Sequence, residues 1–253
     1  MKCFTQIADY QAYRRGLKDK KIGFVPTMGA LHAGHGSLIQ QSVEECDTTV
    51  LSIYVNPTQF NNSADLVKYP DTIEQDTALA EVLGVDVILL PDYQQLYPDD
   101  FRYLVDETEF SLTLCGEHRP GHFTGVLTVV LKLLNIVKPD LAYFGEKDYQ
   151  QLSLIRGMAE AFFLDVDIIA GATVREPDGL AMSSRNVNLT PSGRICAIGL
   201  NEILVSDLDD EAATLELTNR GFDVDYVRSI GGRRFGAASL DGVRLIDNVA
   251  VKK

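Results

Sequence analysis

Short apolar runs rich in β-branched residues alternate with longer stretches of helical periodicity along most of this chain. The runs 21–25, 48–55, 85–90, 141–144 and 166–169 are predicted strands, the first stopped by Pro26, and 34–45, 72–83, 123–137 and 149–163 are predicted helices. Strands that are separated by helices pair in parallel, and the sheet is covered on both faces. The alternation therefore predicts an α/β fold built on a parallel sheet.

The pattern changes after Arg185. Residues 191–205 fit a single helix, and 222–227 and 243–246 are short strand candidates. A Thr190-Pro191 start followed by a helical pattern is a natural junction between domains. We therefore predict a parallel-sheet domain over residues 1–189 and a small C-terminal α+β domain over residues 190–253.

Composition and charge exclude several classes of protein. The chain has 253 residues, of which 45% are hydrophobic, so it can form a sizeable core. Its net charge of −13 is the wrong sign for neutralising nucleic-acid phosphates. The most apolar stretch, 126–137, is interrupted by Lys132 and Asn135 and is too short to cross a bilayer. The four cysteines are far apart, without a C-x-x-C pair, and residues 1–21 lack a secretory pattern. We expect no nucleic acid, no membrane and a reduced, cytoplasmic location.

The loop that follows the first predicted strand, residues 26–35, carries a histidine pair. His32 and His35 are three residues apart, so both rings face the same side of a helical first turn. The free amides and the dipole of a helix start favour phosphate oxygens there, and Gly29 and Gly34 permit close backbone approach. A metal pair or a local cap without function are the alternatives. A zinc site would need further ligands nearby.

Ligands of open parallel sheets bind beyond the carboxyl ends of the strands. Two further loops follow predicted strands, and a third precedes the predicted junction between the domains. Residues 56–60 offer amide side chains, which bind hydroxyls and carboxylates without adding charge. Lys147 stands between a strand end and a helix start, from which an ammonium can reach a phosphate. Two serines and Arg185 suit a loop that closes over a polyphosphate. Each loop alone could be a turn or a solvated cluster of charges.

Taken together, the four loops indicate phosphoryl or nucleotidyl chemistry on ATP. The sequence contains neither a G-x-x-x-x-G-K-[ST] pattern nor the kinase signature set. Such a site would act by positioning and by stabilising charge on the reacting phosphorus.

Longer ordered motifs resemble those of the pantoate–β-alanine ligase family. They are PTMGALHAGH (26–35), YVNPTQF (54–60), RPGHFTGV (119–126), NIVKPDLAYFGEKDYQQL (135–152), TVREPDGLAMSSRN (173–186) and RLIDN (244–248). The family belongs to the HIGH-motif nucleotidyltransferases, and residues 32–35 and 182–185 stand as the paired signatures. The resemblance implies a Rossmann-like ATP- and pantoate-binding domain, a small C-terminal lid domain and a homodimer.

The resemblance also implies a reaction in two steps. The pantoate carboxylate attacks the α-phosphate of ATP to give pantoyl adenylate and pyrophosphate, and β-alanine then displaces AMP to give pantothenate, the precursor of coenzyme A. ATP is a co-substrate and Mg²⁺ is expected with it. The metal ligands are unknown; Asp76 is named as a candidate only.

Site residues follow from the same resemblance. His35, His32 and Lys147 are the catalytic candidates, and His35 is either a proton donor or a charge stabiliser. Gln59 and Gln151 are expected to hold pantoate, with Gln59 also near β-alanine. The residues expected to bind ATP are Met28, Gly29, Ala30, Leu31, His32, Ala33, Gly34, His35, Gly145, Glu146, Lys147, Asp148, Val174, Met182, Ser183, Ser184 and Arg185.

Two other functions remain as alternatives. A HIGH-type transferase that makes a dinucleotide cofactor would need more cations than Gln59 and Gln151 supply for its second phosphate. A binding module without catalysis would have no reason to retain His32, His35 and Lys147 together. The C-terminal segment, which would form the lid over the β-alanine end, is short for the family.

Overall fold

A computed structural model of the chain describes residues 1–61, 66–67 and 69–251. The strands are β1 (Lys2–Phe4), β2 (Ile22–Thr27), β3 (Thr48–Ile53), β4 (Val87–Leu89), β5 (Leu141–Gly145), β6 (Asp167–Gly171), β7 (Asp223–Ile230), β8 (Arg233–Leu240) and β9 (Val243–Ala250). The helices are α1 (Ile7–Arg14), α2 (Ala33–Glu45), α3 (Ile73–Val82), α4 (Tyr93–Leu96), α5 (Cys115–His118), α6 (His122–Val137), α7 (Tyr149–Ala161), α8 (Pro191–Cys196), α9 (Gly199–Leu204) and α10 (Asp210–Asn219). Short 3₁₀ turns cover Pro57–Gln59, Phe110–Leu112, Glu146–Asp148 and Asn186–Asn188.

The larger of two compact units, residues 1–145 and 150–171, contains a six-stranded sheet. Its order is β1-β4-β3-β2-β5-β6, and every neighbouring pair is parallel. The chain runs outward from β2 to β3 and β4 and then returns with β5 to the other side of β2. Ligands bind beyond the carboxyl ends of the strands at such a reversal. The loop after β2 therefore lies where a ligand is expected.

Helix α2 packs on one face of this sheet. Its periodicity predicts buried positions at Leu38, Ile39 and Val43, and the first two are buried whereas Val43 is 38% exposed. Leu38 and Ile39 are buried in a cluster that α3 completes from the same side. The sheet and helix residues of the cluster are Val25, Leu38, Ile39, Leu51, Ile53, Ala80, Val85, Ile88, Leu141 and Tyr143. This packing sets the rotation of α2 and therefore the side on which its first turn presents the histidines.

All five strands and four helices predicted for residues 21–169 are present, with ends shifted by a few residues. Strand β2 was predicted to stop at Pro26 and instead continues to Thr27, and the short helices α4 and α5 were not predicted. Proline lacks the N–H that a strand donates to its neighbour. Its register partner on β3 is Ser52, whereas pairing with β5 covers only Gly23 and Phe24. The missing donor is tolerated because β5 no longer pairs with β2 at Pro26.

The first fourteen residues, for which no element is predicted, belong to the sheet unit. Strand β1 pairs with β4 at the sheet edge. From α1, Arg14 donates to the carbonyls of Val137 at 3.1 Å and Lys138 at 2.8 Å, and the Tyr10 hydroxyl donates to Val137 at 3.3 Å. Carbonyls at a helix end lack partners within the helix, so α1 satisfies those at the end of α6.

The smaller unit combines residues 146–149 with the chain from Ala172 onward. Its three-stranded sheet has the order β7-β8-β9 and is antiparallel. Helices α9 and α10 cover one face through a buried apolar cluster: Leu180, Ala197, Leu200, Ile203, Leu204, Ala213, Leu217, Phe222, Val227, Ala238, Leu240, Val243 and Leu245. The predicted fold class, a parallel α/β sheet with a small C-terminal α+β part, is confirmed.

The prediction of a single helix over residues 191–205 is wrong, because α8 and α9 are separate. Between them the N–H of Leu200 bonds to the carbonyl of Ala197 at 3.2 Å, which is the tighter 3₁₀ pattern. Glycines at 193 and 199 also weaken a continuous helix.

The predicted domain boundary after Leu189 lies inside the smaller unit. That residues 190–253 form a domain of their own, and that this domain is a lid, stay predictions; residues 252 and 253 lie outside the described part. Over the described ranges, no helix has both the length and the apolar character needed to cross a membrane.

Candidate active site

Helix α2 begins with a cap made by two histidines. The Nδ1 atom of His32, the residue before the helix, accepts the N–H of Gly34 at 3.1 Å. The Nδ1 atom of His35 accepts the N–H of His32 at 3.3 Å. The ring centroids are 4.1 Å apart and the planes are inclined by 37°. This reciprocal cap satisfies two of the N–H groups that a helix leaves unpaired at its start.

The cap determines which nitrogen of each neutral ring carries the proton. A neutral imidazole has one donor nitrogen and one acceptor nitrogen. Because Nδ1 accepts in both His32 and His35, each Nε2 is the donor. Capping and phosphate binding, which the sequence left as alternatives, are therefore compatible. The local cap orients two N–H donors at a helix start whose dipole already favours anions.

Asp76 holds the loop that leads to these histidines. Its side chain is 3% exposed. One carboxylate oxygen accepts the N–H of Ala30 at 2.8 Å and the Thr72 hydroxyl at 2.9 Å, and the other accepts the N–H of Leu31 at 2.8 Å. Gly29 and Ala30 have φ values of 83° and 50°, a region that costs an alanine energy. In this conformation the amides of Ala30 and Leu31 both bond to the carboxylate, and these bonds offset the cost of the strain.

The position of Asp76 bears on its candidacy as a metal ligand. Both of its oxygens are engaged by N–H and hydroxyl donors, which are the partners of a structural carboxylate. Within the described ranges, no group of three or more His, Cys, Asp and Glu side chains is arranged to hold a metal ion. The structure thus assigns Asp76 to the loop, a role that sequence spacing did not suggest.

The loop after β3 fixes the amide of Gln59 through Asn56, which is 1% exposed. Burial raises the pKa of Tyr97 to about 12, so its hydroxyl stays protonated and donates to the Asn56 oxygen at 2.9 Å. The Asn56 amide nitrogen then donates to the Gln59 side-chain oxygen at 3.0 Å. The Gln59 nitrogen is left on the side of Met28, whose sulfur is 3.3 Å away. Tyr97 therefore sets the orientation of two successive amides.

The main chain of Gln59 is held from the RPGHFTGV segment. The His122 ring meets the Gln59 carbonyl at Nδ1, 2.9 Å away, and Arg119 donates to the same carbonyl at 3.2 Å. Arg119 also lies 3.1 Å from Nε2 of His122. A guanidinium only donates, so Nε2 accepts and Nδ1 carries the proton that bonds to Gln59. Arg119 and His122 of the RPGHFTGV motif therefore hold the main chain of Gln59, a role that the sequence alone does not indicate.

Gln150 and Gln151, neighbours on the first turn of α7, have different environments. Gln150 is 5% exposed; its oxygen accepts the N–H of Cys115, and its nitrogen donates to the carbonyls of Phe110 and Thr113, both at 2.8 Å. Gln151 is half-buried. The structure thus gives Gln150 a structural role and leaves Gln151, the predicted substrate residue, in a more accessible position.

The smaller unit carries the predicted ATP-binding residues from Glu146 onward, whereas Gly145 is the last residue of β5 in the larger unit. Lys147 lies in the Glu146–Asp148 turn with its Nζ atom 3.7 Å from a carboxylate oxygen of Asp148. The Asn248 amide donates to the carbonyls of Glu146 at 2.9 Å and Lys147 at 2.8 Å. The Lys147 side chain is therefore flexible, whereas the main chain that carries it is fixed by Asn248.

The segment from Val174 to Arg185 forms a tight hairpin followed by a turn. Val174 accepts the N–H of Met182 at 3.0 Å, and Arg175 pairs with Ala181 across the hairpin. The Ser183 hydroxyl accepts the N–H of Arg185 at 3.3 Å. The serine and arginine of the predicted signature are thus next to each other.

The contacts divide the predicted site residues into three clusters: the histidine loop, the Met28 and Gln59 pair, and the Lys147 turn with the hairpin. Sequence reasoning placed Asn56 among the substrate amides and Asp76 as a metal candidate, and it missed that both hold the loops of the site. It did not single out Asn248, which contacts the Lys147 turn from about a hundred residues away. The RLIDN motif was the one signal that could have identified Asn248.

A parallel sheet with a reversal beside β2 and an anion-favouring helix start at that point define a nucleotide-binding protein of the Rossmann-like α/β class. The sequence profile of the pantoate–β-alanine ligase family matches residues 2–250. The chain belongs to the pantoate–β-alanine ligase family.

Individual relatives agree with this assignment. The pantothenate synthetase of Bdellovibrio bacteriovorus is 54% identical over 244 residues, which cover 96% of this chain and 97% of that protein. The Legionella pneumophila pantothenate synthetase is 47% identical over 249 residues, covering 98% and 99%. A crystal structure of the Francisella tularensis pantoate–β-alanine ligase, complexed with β-γ ATP and β-alanine, superposes with a TM-score of 0.94 at 44% identity, covering 99% and 97% of the two chains. The predicted family and enzyme class are confirmed.

Proposed function

We propose that this protein condenses pantoate with β-alanine at the expense of ATP, through pantoyl adenylate. In the first step a pantoate carboxylate oxygen bonds to the α-phosphorus of ATP, and the bond to pyrophosphate breaks. In the second step the β-alanine amine bonds to the acyl carbon, loses a proton and expels AMP. The observation that carries this proposal is the reciprocal histidine cap, in which two Nε2–H donors are oriented at a helix start.

The histidines act on phosphate as donors. With Nδ1 engaged by backbone N–H groups, His32 and His35 each offer one hydrogen bond to phosphate oxygens without becoming charged. Donors fixed before the reaction stabilise developing charge at no cost of reorganisation. We therefore assign His35 the role of charge stabiliser rather than proton donor, and Lys147 and Arg185 the role of offsetting phosphate charge.

The amides of Gln59 and Gln151 bind pantoate in this scheme. The Gln59 oxygen accepts from Asn56, so its nitrogen is the atom available to donate to a substrate oxygen. Amides suit hydroxyls and a carboxylate that must stay nucleophilic, because they add no charge that would hold the carboxylate back. β-Alanine, which is present in the Francisella tularensis complex, is assigned to the Gln59 end.

Mg²⁺ accompanies ATP in the proposal and supplies charge neutralisation to the phosphates. Mg²⁺ keeps several waters and is usually bound through one or two carboxylates and the substrate phosphates. Asp76 does not fit as its ligand, since both carboxylate oxygens are used within the loop. Asp148, beside Lys147 and 45% exposed, is the carboxylate that fits better.

Two further parts of the proposal concern the state of the protein. The family resemblance leads us to propose a homodimer. We propose a cytoplasmic location because the four cysteines are far apart in the sequence and form no C-x-x-C pair. Light scattering of the purified protein tests the dimer, and fractionation of the source cells tests the location.

The decisive experiment follows one oxygen atom. Pantoate labelled with ¹⁸O in its carboxylate is incubated with ATP, Mg²⁺ and β-alanine, and the AMP is analysed by mass spectrometry. One ¹⁸O in AMP is the expected result, since the carboxylate oxygen stays on the phosphorus. AMP without label would exclude the adenylate. Omitting pantoate is the control for ATP hydrolysis. AMP release that depends on neither pantoate nor β-alanine would favour a different transferase.

A further inference from the structure

Asp247 and Asn248 are consecutive residues of β9, and both are almost fully buried, at 4% and 5% exposure. Side chains alternate between the two faces of a strand. Asp247 lies on the same face as Val243 and Leu245 of the apolar cluster, so Asn248 lies on the opposite face. The proposed reaction uses neither residue, although both belong to the motif at 244–248.

The amide of Asn248 has one orientation, which Arg233 determines. The Arg233 guanidinium donates to the Asn248 oxygen, and a guanidinium has no acceptor. The Asn248 nitrogen must therefore point the other way, toward the carbonyls of Glu146 at 2.9 Å and Lys147 at 2.8 Å. Both hydrogens of that nitrogen are used.

The turn that receives these two bonds is short and is held at its far end as well. It comprises Glu146–Asp148, and the next residue, Tyr149, has the Arg233 guanidinium over its ring at 3.9 Å. Lys147 itself contributes a four-carbon stem with an ammonium at its end, and such a side chain can adopt many conformations. The position of its main chain therefore decides which phosphate oxygens the ammonium can reach.

Asp247 fixes β9 at the same point from the other face. Its carboxylate receives two bonds from Arg175, at 2.6 and 2.9 Å, and one from Asn201 at 2.9 Å. It also accepts the N–H of Asn248 at 2.8 Å. Because Arg175 lies in the hairpin that joins Val174 to Met182, the strand position of Asn248 is tied to the second ATP-binding segment of this unit.

We propose that Asn248 is a positioning residue for the reaction, which holds the Lys147 turn through two main-chain hydrogen bonds and so places the Lys147 ammonium for ATP. The proposal rests on the proposed role of Lys147 in binding phosphate. Asn248 makes no contact with substrate in this scheme and acts through the turn alone.

Two variants and one control test the proposal. Asn248→Ala removes both donors, and Asn248→Asp removes them while keeping the shape and the partner of Arg233. Each should lower kcat/KM for ATP on the order of 10- to 100-fold, because misplacement by about 1 Å costs that much. The KM for pantoate should change less than twofold. Asp225→Asn is the control, since it weakens a polar contact to Arg244 on the same sheet away from the turn.

A double-mutant comparison distinguishes positioning from general destabilisation. In a Lys147→Met background, Asn248→Ala should lower activity no further, because its effect passes through the missing ammonium. A further loss equal to that in the wild-type background would overturn the proposal, and so would equal increases in the KM values of ATP and pantoate.

Hydrogen–deuterium exchange provides a readout that does not depend on the reaction. The peptide containing residues 146–149 should exchange faster in Asn248→Ala than in the wild type or Asp225→Asn. Unchanged exchange would overturn the proposal whatever the activity. If the wild-type protein makes no AMP from pantoate and ATP, the proposed function fails, and the exchange result still decides whether Asn248 holds the turn.

Discussion

A carboxylate oxygen of Asp76 accepts the N–H of Ala30 at 2.8 Å, which joins helix α3 to the loop before the histidine cap. Ala30 has a φ of 50°, a conformation that an alanine adopts only where its surroundings impose it. The bond supplies that constraint, and the second oxygen adds another through Leu31. The positions of His32 and His35 thus depend on a residue more than forty positions away in the sequence.

Asp76→Asn is expected to reduce activity more than its modest change in shape suggests. An amide nitrogen in place of one oxygen would face N–H donors, so one bond is lost and a buried donor lacks a partner. We expect destabilisation of about 1–3 kcal/mol and a fall in kcat of at least tenfold. Urea unfolding and initial rates are the measurements. Glu74→Gln, an exposed substitution with the same change in charge on the same helix, should behave as wild type.

His35→Ala should fold and fail to form the adenylate. Loss of the cap costs about 1 kcal/mol, whereas loss of an oriented donor to a phosphate costs on the order of 100-fold in rate. Pyrophosphate–ATP exchange with pantoate alone measures the first step by itself. His118→Ala, an exposed histidine outside this loop, is the control. Exchange at the wild-type rate in His35→Ala would remove this histidine from the mechanism.

Gln151→Ala and Gln150→Ala are expected to differ in kind, although the residues are adjacent. Gln150 makes three buried hydrogen bonds, so its loss should lower the free energy of unfolding by about 1–3 kcal/mol. Gln151→Ala should weaken pantoate binding while stability and ATP binding stay as in wild type. Calorimetric titration with each substrate, together with thermal melts, checks both statements. The opposite assignment would mean that the neighbouring glutamine holds the substrate.

Much of the sheet unit could be predicted because its elements have strong local patterns. The runs 21–25 and 48–55 are apolar and β-branched, and Leu38 and Ile39 of α2 are buried as their spacing predicts. The loops between them contain the histidines and amides, so the chemistry could be located at strand ends. Parallel sheets place their ligands there as a rule.

The supporting residues could not be predicted, because their roles depend on contacts between segments far apart in sequence. Nothing around Asp76 shows that its carboxylate receives amides from Ala30 and Leu31. Asn248 likewise looks like one more strand residue until β9 is placed beside the Lys147 turn. Pro26 misled for a related reason: a proline ends a strand only where the neighbour needs its N–H.

The ion pair of Asp99 and Lys132 should contribute to stability in a pH-dependent way. The Lys132 ammonium, 2.7 Å away, holds the pKa of Asp99 well below its usual range. A depressed pKa contributes stability above the unfolded value near 4, and this contribution is lost as the pH falls. Asp99→Asn should therefore flatten the fall of Tm between about pH 5 and pH 3. Lys132→Met should flatten it as well, and an unchanged slope in both variants would contradict the assignment.

Two glycine-to-alanine changes should have effects of opposite sign. A Cβ at Gly125 in α6 would lie 2.5 Å from the Thr58 carbonyl oxygen and 2.9 Å from the Cα of Gln59. These are backbone atoms, so the Gln59 loop itself must move. We expect Gly125→Ala to cost about 1–3 kcal/mol and to raise the KM for pantoate, with ATP binding retained.

Gly157→Ala is the matched control within a helix. Gly157 lies in α7, is exposed, and a Cβ there would meet no atom within 4 Å. Alanine favours a helix over glycine by about 1 kcal/mol, so this variant should gain stability and keep full activity. Denaturant unfolding and pantoate titration of both variants test the pair. A gain in stability for Gly125→Ala would show that α6 does not support the Gln59 loop through this close approach.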